Sequence, residues 1–159
     1  MTYRSTPFVL AFLIWLCLGC ASGGHLVEPE TWGSVFTDRT GLVTESDLYY
    51  RLPRVLARLG YFIEEGHGDR HTLLFETNWR TREPFPEERA KGARSARTKL
   101  RFRAVWNGRL YALNVDVDNM IADSYGSWVR TRPVDSFLDY ARELTGEIRL
   151  ELATGVRRY

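Results

Sequence analysis

The chain is poor in the residues that usually cross-link a protein. It has two cysteines among 159 residues, Cys17 and Cys20, and both lie within the first twenty positions. No disulfide can connect distant parts of the chain, so a folded domain must rely on its apolar core. An excess of one charge is also missing, because 22 basic residues face 20 acidic ones. This balance argues against nucleic-acid binding and against bulk attraction to acidic membranes.

Histidine is scarce, and the three that occur form no catalytic or metal-binding pattern. His67 and His71 flank Asp69 in a stretch that we predict to be a solvated turn without a further metal ligand. No Gly-x-Ser-x-Gly motif is present. The adjacent carboxylates at 64–65 lie on a predicted strand and point to opposite faces, and those at 87–88 are expected to be solvated. We therefore predict no catalytic residues, no metal and no cofactor.

What the chain does have is a distinctive N-terminus. Arg4 precedes an unbroken apolar run, Phe8–Leu18, and small residues follow this run. This order is typical of a secretory signal peptide. The run is too short for a transmembrane helix, which needs about 20 apolar residues. We therefore predict a signal peptide over residues 1–19 and an exported protein.

The end of this segment, Leu18-Gly19-Cys20, resembles the lipobox of bacterial lipoproteins, with Cys17 at the position where leucine is usual. The resemblance implies that Cys20 becomes the first mature residue and carries lipid. Because residue 21 is not aspartate, the resemblance also implies transport to the outer membrane, with the protein on its periplasmic face. The alternative is a soluble periplasmic or secreted protein. Residues 20–45, glycine-containing and without a sustained period, are predicted to be the lipidated N-terminus and tether.

A single domain is predicted over residues 46–159, and it begins with a helix. Apolar residues recur at helical spacing from Ser46 to Leu59, with Ser46 as the N-cap and Gly60 as the C-terminal cap. Pro53 either kinks this helix or starts a shorter one at about Leu52. Two strands follow at about residues 61–65 and 72–79. A long charged connection then leads from Arg80 to about Ala96.

The next unit is a hairpin. Asn107-Gly108 stands between two alternating runs, which is a strong signal for a two-residue β-turn. This turn predicts a register in which Phe102 faces Leu113 and Lys99 faces Asp116. Apolar residues then share one face of the sheet, and charged residues share the other.

A final helix is predicted from about Val134 to Ala153, although residues 147–152 also alternate and leave a short strand as an alternative. The predicted fold is α+β with two layers. A four-stranded antiparallel sheet carries an N-terminal and a C-terminal helix on one face, in the order α-β-β-β-β-α.

The first part of this domain is similar to the repeat unit of BamC-type lipoproteins. A helix ending in Leu-Gly-Tyr is followed by a strand, a polar turn and a strand that closes on Thr-x-Trp. The matching positions are Leu56, Leu59, Gly60, Tyr61, Phe62, Thr77 and Trp79. BamC-type proteins belong to the outer-membrane β-barrel assembly machinery and have helix-grip domains. The resemblance therefore implies a helix-grip-like domain in an envelope complex.

Two surface features are candidates for docking a partner. One is a basic stripe along the first hairpin strand, formed by Arg97, Lys99, Arg101 and Arg103. It suits an acidic partner, phosphate groups or lipopolysaccharide, unless it is a solvated face balanced by aspartates of the opposite strand. The other is the irregular stretch 119–133, where Tyr125 and Trp128 either bind a partner or cover the end of the core.

Together these features predict a lipid-anchored periplasmic interaction module, an accessory or stabilising subunit of a cell-envelope complex. Its expected partners are the membrane, through lipid on Cys20, and an envelope protein, with no nucleic acid. An alternative is a domain that holds an apolar ligand or lipid between helix and sheet, shaped by Trp79, Trp106 and Tyr111. These three residues equally suit an ordinary core, so a small ligand is less favoured. A third alternative is an envelope hydrolase, for which the sequence lacks converging polar groups.

Overall fold

The computed structural model describes residues 35–154, which form an α+β domain with an antiparallel sheet and a C-terminal helix. The predicted signal peptide, Cys20 and residues 21–34 of the predicted tether lie outside the described residues. Within the described range, no helix combines the length and the apolar character that a membrane crossing requires.

One antiparallel sheet of seven strands organises the domain. The strands are β1 (Val35–Val43), β2 (Ile63–Gly68), β3 (Thr72–Thr77), β4 (Arg80–Arg82), β5 (Ser95–Trp106), β6 (Tyr111–Ala122) and β7 (Trp128–Val129). Their order is β1-β6-β5-β3-β2, and the short strands β4 and β7 pair with β5 and β6. The prediction of four strands is therefore wrong, because β1, β4 and β7 lie in the segments that we predicted to be tether, connection and loop.

Strand β1 is the largest of these additions. It pairs with β6 from Val35 opposite Asp118 to Val43 opposite Tyr111. The register shifts between Arg39 and Gly41, and such a bulge breaks the alternation that identifies a strand in a sequence. The sheet therefore begins within residues 20–45, ahead of the predicted domain start at residue 46.

Helical structure begins only after β1. The backbone N–H and the hydroxyl of Thr44 both donate to Asp47 Oδ2, at 3.0 and 2.7 Å, and the Asp47 N–H donates back to Thr44 Oγ1 at 3.1 Å. This reciprocal pair occupies the place of the predicted cap Ser46, which makes no side-chain capping hydrogen bond. The carboxylate of Asp47 thus lies at the N-terminal end of the first helical turn, where the positive end of the helix dipole stabilises a negative charge.

No regular N-terminal helix forms over Ser46–Leu59. A π-helical turn at Asp47–Arg51 leads into a short helix α1 (Leu52–Arg58), and Pro53 lies in the first turn of that helix. Pro53 has no N–H to donate to the preceding turn, so the regular α-helical hydrogen bonding begins anew at Leu52, which agrees with the predicted alternative of a shorter helix from about this residue. The predicted order α-β-β-β-β-α is consequently wrong at its start, since the described chain begins with a strand.

Two further helices complete the described chain, α2 (Pro86–Ala90) and α3 (Asp135–Thr154). The C-terminal helix is confirmed, and residues 147–152 belong to it rather than to a strand. Helix α3 also contacts β1 through polar groups. Asp38 accepts a hydrogen bond from Thr145 Oγ1 at 2.8 Å and forms an ion pair with Arg149.

A single main core joins α1 and α3 to one face of the sheet. The fully buried helix positions in this cluster include Leu52, Leu56, Phe137, Ala141 and Ile148. The fully buried sheet positions include Leu100, Leu113, Val115 and Val117. Each large apolar side chain removed from water contributes about 1.5–3 kcal/mol. Both helices therefore pack on one face of the sheet.

The β5–β6 hairpin is present, but its register differs from the predicted one by two residues. Phe102 faces Val115, and Lys99 faces Asp118. The loop has four residues because Asn107 Oδ1 accepts the backbone N–H groups of residues 109 and 110, at 3.1 and 2.9 Å. Gly108 supplies a positive φ of 98° in this loop. A shift of two residues keeps each side chain on its face, so the predicted faces hold and the predicted pairs do not.

Candidate interaction surface

The sheet face opposite α1 and α3, here called the polar face, presents side chains in rows across the strands. The row at the hairpin end contains Leu42, Ala112, Val105 and Thr72. The next row contains Arg39, Asn114, Arg103, Leu74 and His67. A third contains Thr37, Asp116, Arg101, Glu76 and Glu65. Farther along, Asp118 faces Lys99, and Met120 faces Arg97.

Arg97 lies at the far end of this face and is flanked by two tryptophans. Its guanidinium carbon is 4.5 Å from the ring centre of Trp79 and 4.3 Å from that of Trp128. Trp79 directly precedes β4 and Trp128 opens β7, so the two short strands bring the indoles in from opposite sides of the β5–β6 pair. Both distances are within the range of cation–π attraction.

The hydrogen-bonding capacity of Arg97 is largely unused. Nη2 donates to Met120 Sδ at 3.4 Å, which is a weak acceptor. Nε is buried and has no hydrogen-bond partner within residues 35–154. Burial lowers the pKa of Arg97 from its ordinary value, because desolvation disfavours the charged form. Arginine nevertheless stays protonated, so a cation is held here between aromatic rings without a described carboxylate beside it.

Two other cations of the predicted stripe are paired within the domain. Lys99 Nζ lies 2.7 Å from Glu76 Oε2, and this hydrogen bond is the main cause of the lowered pKa of Glu76. Arg101 contacts both oxygens of Asp118, with Nε 3.0 Å from Oδ2 and Nη2 3.1 Å from Oδ1. Asp118 is only 2% exposed, and burial raises its pKa although Arg101 acts in the opposite direction. This part of the stripe is balanced by neighbouring carboxylates.

The remaining candidates lie apart from one another. Arg103 is exposed, faces Asn114, and has no ion-pair partner in the described part of the chain. Tyr125 is 93% exposed at the tip of the turn between β6 and β7. Asp123 Oδ1 closes this turn by accepting the N–H groups of Tyr125 and Ser127, both at 2.9 Å. Of the six predicted docking residues, the structure therefore groups Arg97 with Trp128 and Lys99 with Arg101.

A buried charge network joins β4, α2 and β6, and the prediction that both carboxylates at 87–88 are solvated is therefore wrong for Glu88. Glu88 is 1% exposed, and its two oxygens accept from Arg82 Nη1 and Nη2 at 2.8 and 2.7 Å. The same carboxylate accepts Asn119 Nδ2 and the Phe85 N–H, each at 2.9 Å. The Pro86 to Glu88 spacing at a helix start was the available signal, because a carboxylate at the third helical position can cap the backbone.

A second polar cluster lies within the core. Tyr61 Oη is 2.6 Å from Thr98 Oγ1 and 3.1 Å from Tyr140 Oη. Burial raises the pKa of Tyr61 far above its ordinary value, and the neighbouring Tyr140 adds to this effect. Tyr61 is therefore a neutral hydroxyl at physiological pH, and its hydrogen bonds stay within the domain.

Asp69 lies in the turn between β2 and β3, with His71 beside it, whereas His67 belongs to strand β2. Asp69 Oδ1 accepts the N–H groups of His71 and Thr72, both at 2.8 Å, and the bond from Thr72 is the main cause of the lowered pKa of Asp69. Over residues 35–154, no three side chains of the metal-binding types come close enough to hold an ion. Asp69 therefore closes the turn with one of its oxygens.

The three large residues proposed to shape a ligand cleft do not converge. Trp79 contacts Arg97 on the polar face. Trp106 and Tyr111 contact each other at the hairpin end, with ring centres 5.0 Å apart. Phe102 of the sheet and Phe137 of α3 belong to one core cluster and are both fully buried. The residues named for a cleft are thus divided between the two sides of the sheet.

No protein-family model and no curated protein matches this chain.

Proposed function

We propose that this protein is a lipid-anchored interaction module on the periplasmic face of the outer membrane. Lipid on Cys20 holds the protein at the membrane, and the domain binds an envelope protein as an accessory or stabilising subunit of its complex. Each buried methylene of an acyl chain contributes about 0.8 kcal/mol, so several chains give an essentially permanent anchor.

The observation that carries this proposal is the composition of the polar face. The opposite face packs under α1 and α3, whereas the polar face gathers Trp79, Trp128 and Met120 around Arg97. Tryptophan, methionine and arginine are the residue types enriched in protein interfaces, and tryptophan and arginine dominate their binding energy. A solvated face has no physical need for two indoles around one guanidinium.

The resemblance to BamC-type lipoproteins indicates which complex to examine first. It places the outer-membrane β-barrel assembly machinery ahead of other envelope complexes as the candidate partner. The C-terminal helix on one face of an antiparallel sheet supports a helix-grip-like domain, because such a domain requires this pairing of helix and sheet.

Labelling with palmitate tests the anchor. We expect the full chain to incorporate labelled palmitate when it is produced in a Gram-negative host, and Cys20→Ala to abolish the label. Cys17→Leu is the matched control, since it removes the neighbouring thiol, installs the residue that is usual at this lipobox position, and should retain the label. Persistent labelling of Cys20→Ala would show that this cysteine is not the lipid carrier.

Site-specific crosslinking in cells tests the partner. A photoreactive residue in place of Arg103 lies on the polar face, and one in place of Tyr50, which is 66% exposed in the π-helical turn, serves as the control. We expect a discrete adduct with an envelope protein from position 103 and none from position 50. Equal adducts from both positions, or none from position 103, would contradict an interface on the polar face.

A further inference from the structure

We propose that Arg97 is the binding site for a single carboxylate of the partner polypeptide, an aspartate or glutamate side chain, and that Trp79 and Trp128 pack against the segment that carries it. This inference rests on the proposed function, since it names the chemistry that the interaction module recognises.

The first argument is that Arg97 is a cation on the polar face without an ion-pair partner among the described residues. Lys99 and Arg101 are paired with Glu76 and Asp118, whereas no carboxylate of residues 35–154 lies within ion-pair distance of Arg97. The guanidinium therefore brings a charge that the described domain itself does not neutralise. An incoming carboxylate meets this charge without displacing an existing ion pair.

The second argument is the shape of the site. A guanidinium carries five N–H donors in its plane, while its two faces are apolar enough to stack on aromatic rings. The ring centres of Trp79 and Trp128 lie 4.5 and 4.3 Å from the guanidinium carbon of Arg97. The in-plane donors have only the sulfur of Met120 as a described acceptor. A planar carboxylate matches two of these donors at once, and such charge-assisted pairs are among the strong hydrogen bonds.

The third argument separates a carboxylate from a phosphate or a lipid surface. Attraction to an anionic membrane takes a cluster of free cations, with about 1 kcal/mol from each. In the middle of the polar face, Glu76 and Asp118 neutralise the cations beside them. A multiply charged phosphate calls for more than one free cation, whereas Lys99 and Arg101 beside Arg97 are already paired. A singly charged carboxylate needs only one guanidinium.

Nuclear magnetic resonance titration tests the inference on the full chain in detergent micelles. The reporters are the indole N–H signals of Trp79 and Trp128, and the probes are acetyl-glutamate-amide and acetyl-glutamine-amide. We expect the glutamate probe to shift both signals saturably and the glutamine probe to leave them in place. Arg97→Gln should weaken the binding by about tenfold or more, since a hydrogen bond to a charged group contributes about 1.5–3 kcal/mol.

Control variants and further probes define the results that would contradict this inference. Arg54→Gln removes an exposed cation from helix α1, which packs on the other face of the sheet, and should leave the affinity unchanged. Arg97→Lys keeps the charge and should weaken binding because the planar fork is lost. Equal shifts with both probes, no shift with the glutamate probe, or no effect of Arg97→Gln in a chain with an unchanged circular dichroism spectrum would overturn the carboxylate site. Stronger shifts with inorganic phosphate or with phosphatidylglycerol bicelles would assign the site to phosphate instead.

Failure of this inference is distinguishable from failure of the proposed function. If Arg97→Gln leaves the position-103 crosslink to the envelope partner intact, the carboxylate site is refuted and the interaction module stands. If the palmitate label and the crosslink are both absent in the unmodified chain, the proposed function fails, and the probe titration still decides whether Arg97 binds a carboxylate.

Discussion

Removing the carboxylate of Glu88 should destabilise the domain more than any other single charge change within the described residues. Glu88→Ala leaves the guanidinium of Arg82, which is 11% exposed, without its counter-ion. Asn119 Nδ2 and the Phe85 N–H lose their acceptor at the same time. Removing one partner of a buried ion pair lowers the free energy of unfolding by about 3–5 kcal/mol, and we expect a decrease in this range for Glu88→Ala. Glu88→Gln keeps the shape and part of the hydrogen bonding, so about 2 kcal/mol is expected.

The pH dependence of this effect has a defined sign. Burial alone would raise the pKa of Glu88, but hydrogen bonds from Arg82, Asn119 and the Phe85 backbone outweigh it and lower the pKa below the ordinary 4.5. Because the folded-state pKa is depressed, the carboxylate stabilises the fold fully above the unfolded-state pKa. This stabilisation is lost as the pH falls through the folded-state pKa. The difference in the free energy of unfolding between the natural chain and Glu88→Gln should therefore become smaller below about pH 4.5.

Urea denaturation followed by circular dichroism measures both effects, at pH 7 and again at about pH 3.5. Glu87→Ala is the matched control, since this neighbouring carboxylate is exposed and bonds only the Ser136 hydroxyl among the described residues. It should change the unfolding midpoint little. The network would be refuted as a source of stability if Glu88→Ala lowered the free energy of unfolding by less than about 1 kcal/mol, or by an amount that does not depend on pH.

Four further substitutions test other parts of the structure by urea or thermal denaturation. Asp118→Asn should change the free energy of unfolding by less than about 1 kcal/mol at pH 7, because the raised folded-state pKa means that the buried charge itself costs stability until the pH falls through that pKa. Gly68→Ala should cost about 3 kcal/mol or more in urea denaturation, since its Cβ would lie 2.1 Å from the Thr72 carbonyl oxygen at a φ of 141°. Gly108→Ala, at a φ of 98° with open space around it, should cost only about 1 kcal/mol. Phe137→Ala in the core should cost about 3–5 kcal/mol and lower the thermal midpoint.

The parts of the fold that were predicted correctly are those with an uninterrupted period. The C-terminal helix has a long apolar stripe, and the strands around the hairpin loop alternate from Arg97 to Trp106 and from Tyr111 to Asp118, so local pattern alone indicated them. The last four residues of β6 were missed, because they lie in the stretch 119–133 that was predicted to be irregular. The register depended on the loop, where one hydrogen-bonding side chain decides between two and four residues. Asn107 Oδ1 makes the four-residue loop here, and Asn-Gly alone does not distinguish the two cases.

The missed elements owe their structure to distant partners. Strand β1 contains a bulge and a glycine, and β4 and β7 have three and two residues, so each exists because a longer strand lies beside it. For the same reason, only two of the three main residues of the candidate site were predicted to belong to a docking surface. The stripe identified Arg97 and the loop identified Trp128, but Trp79 joins them only because β4 pairs with β5.

The contact between Asp38 and helix α3 has a consequence for how the chain acquires its structure. Asp38 lies on the first described strand, and its partners Thr145 and Arg149 lie more than a hundred residues later. A chain that is synthesised from its N-terminus cannot close this contact until almost all of it has been made. The β5–β6 hairpin can form earlier from local contacts, but the contact between β1 and the final helix must wait. The incompletely paired chain is therefore the species on which a protease or chaperone would act before folding is complete.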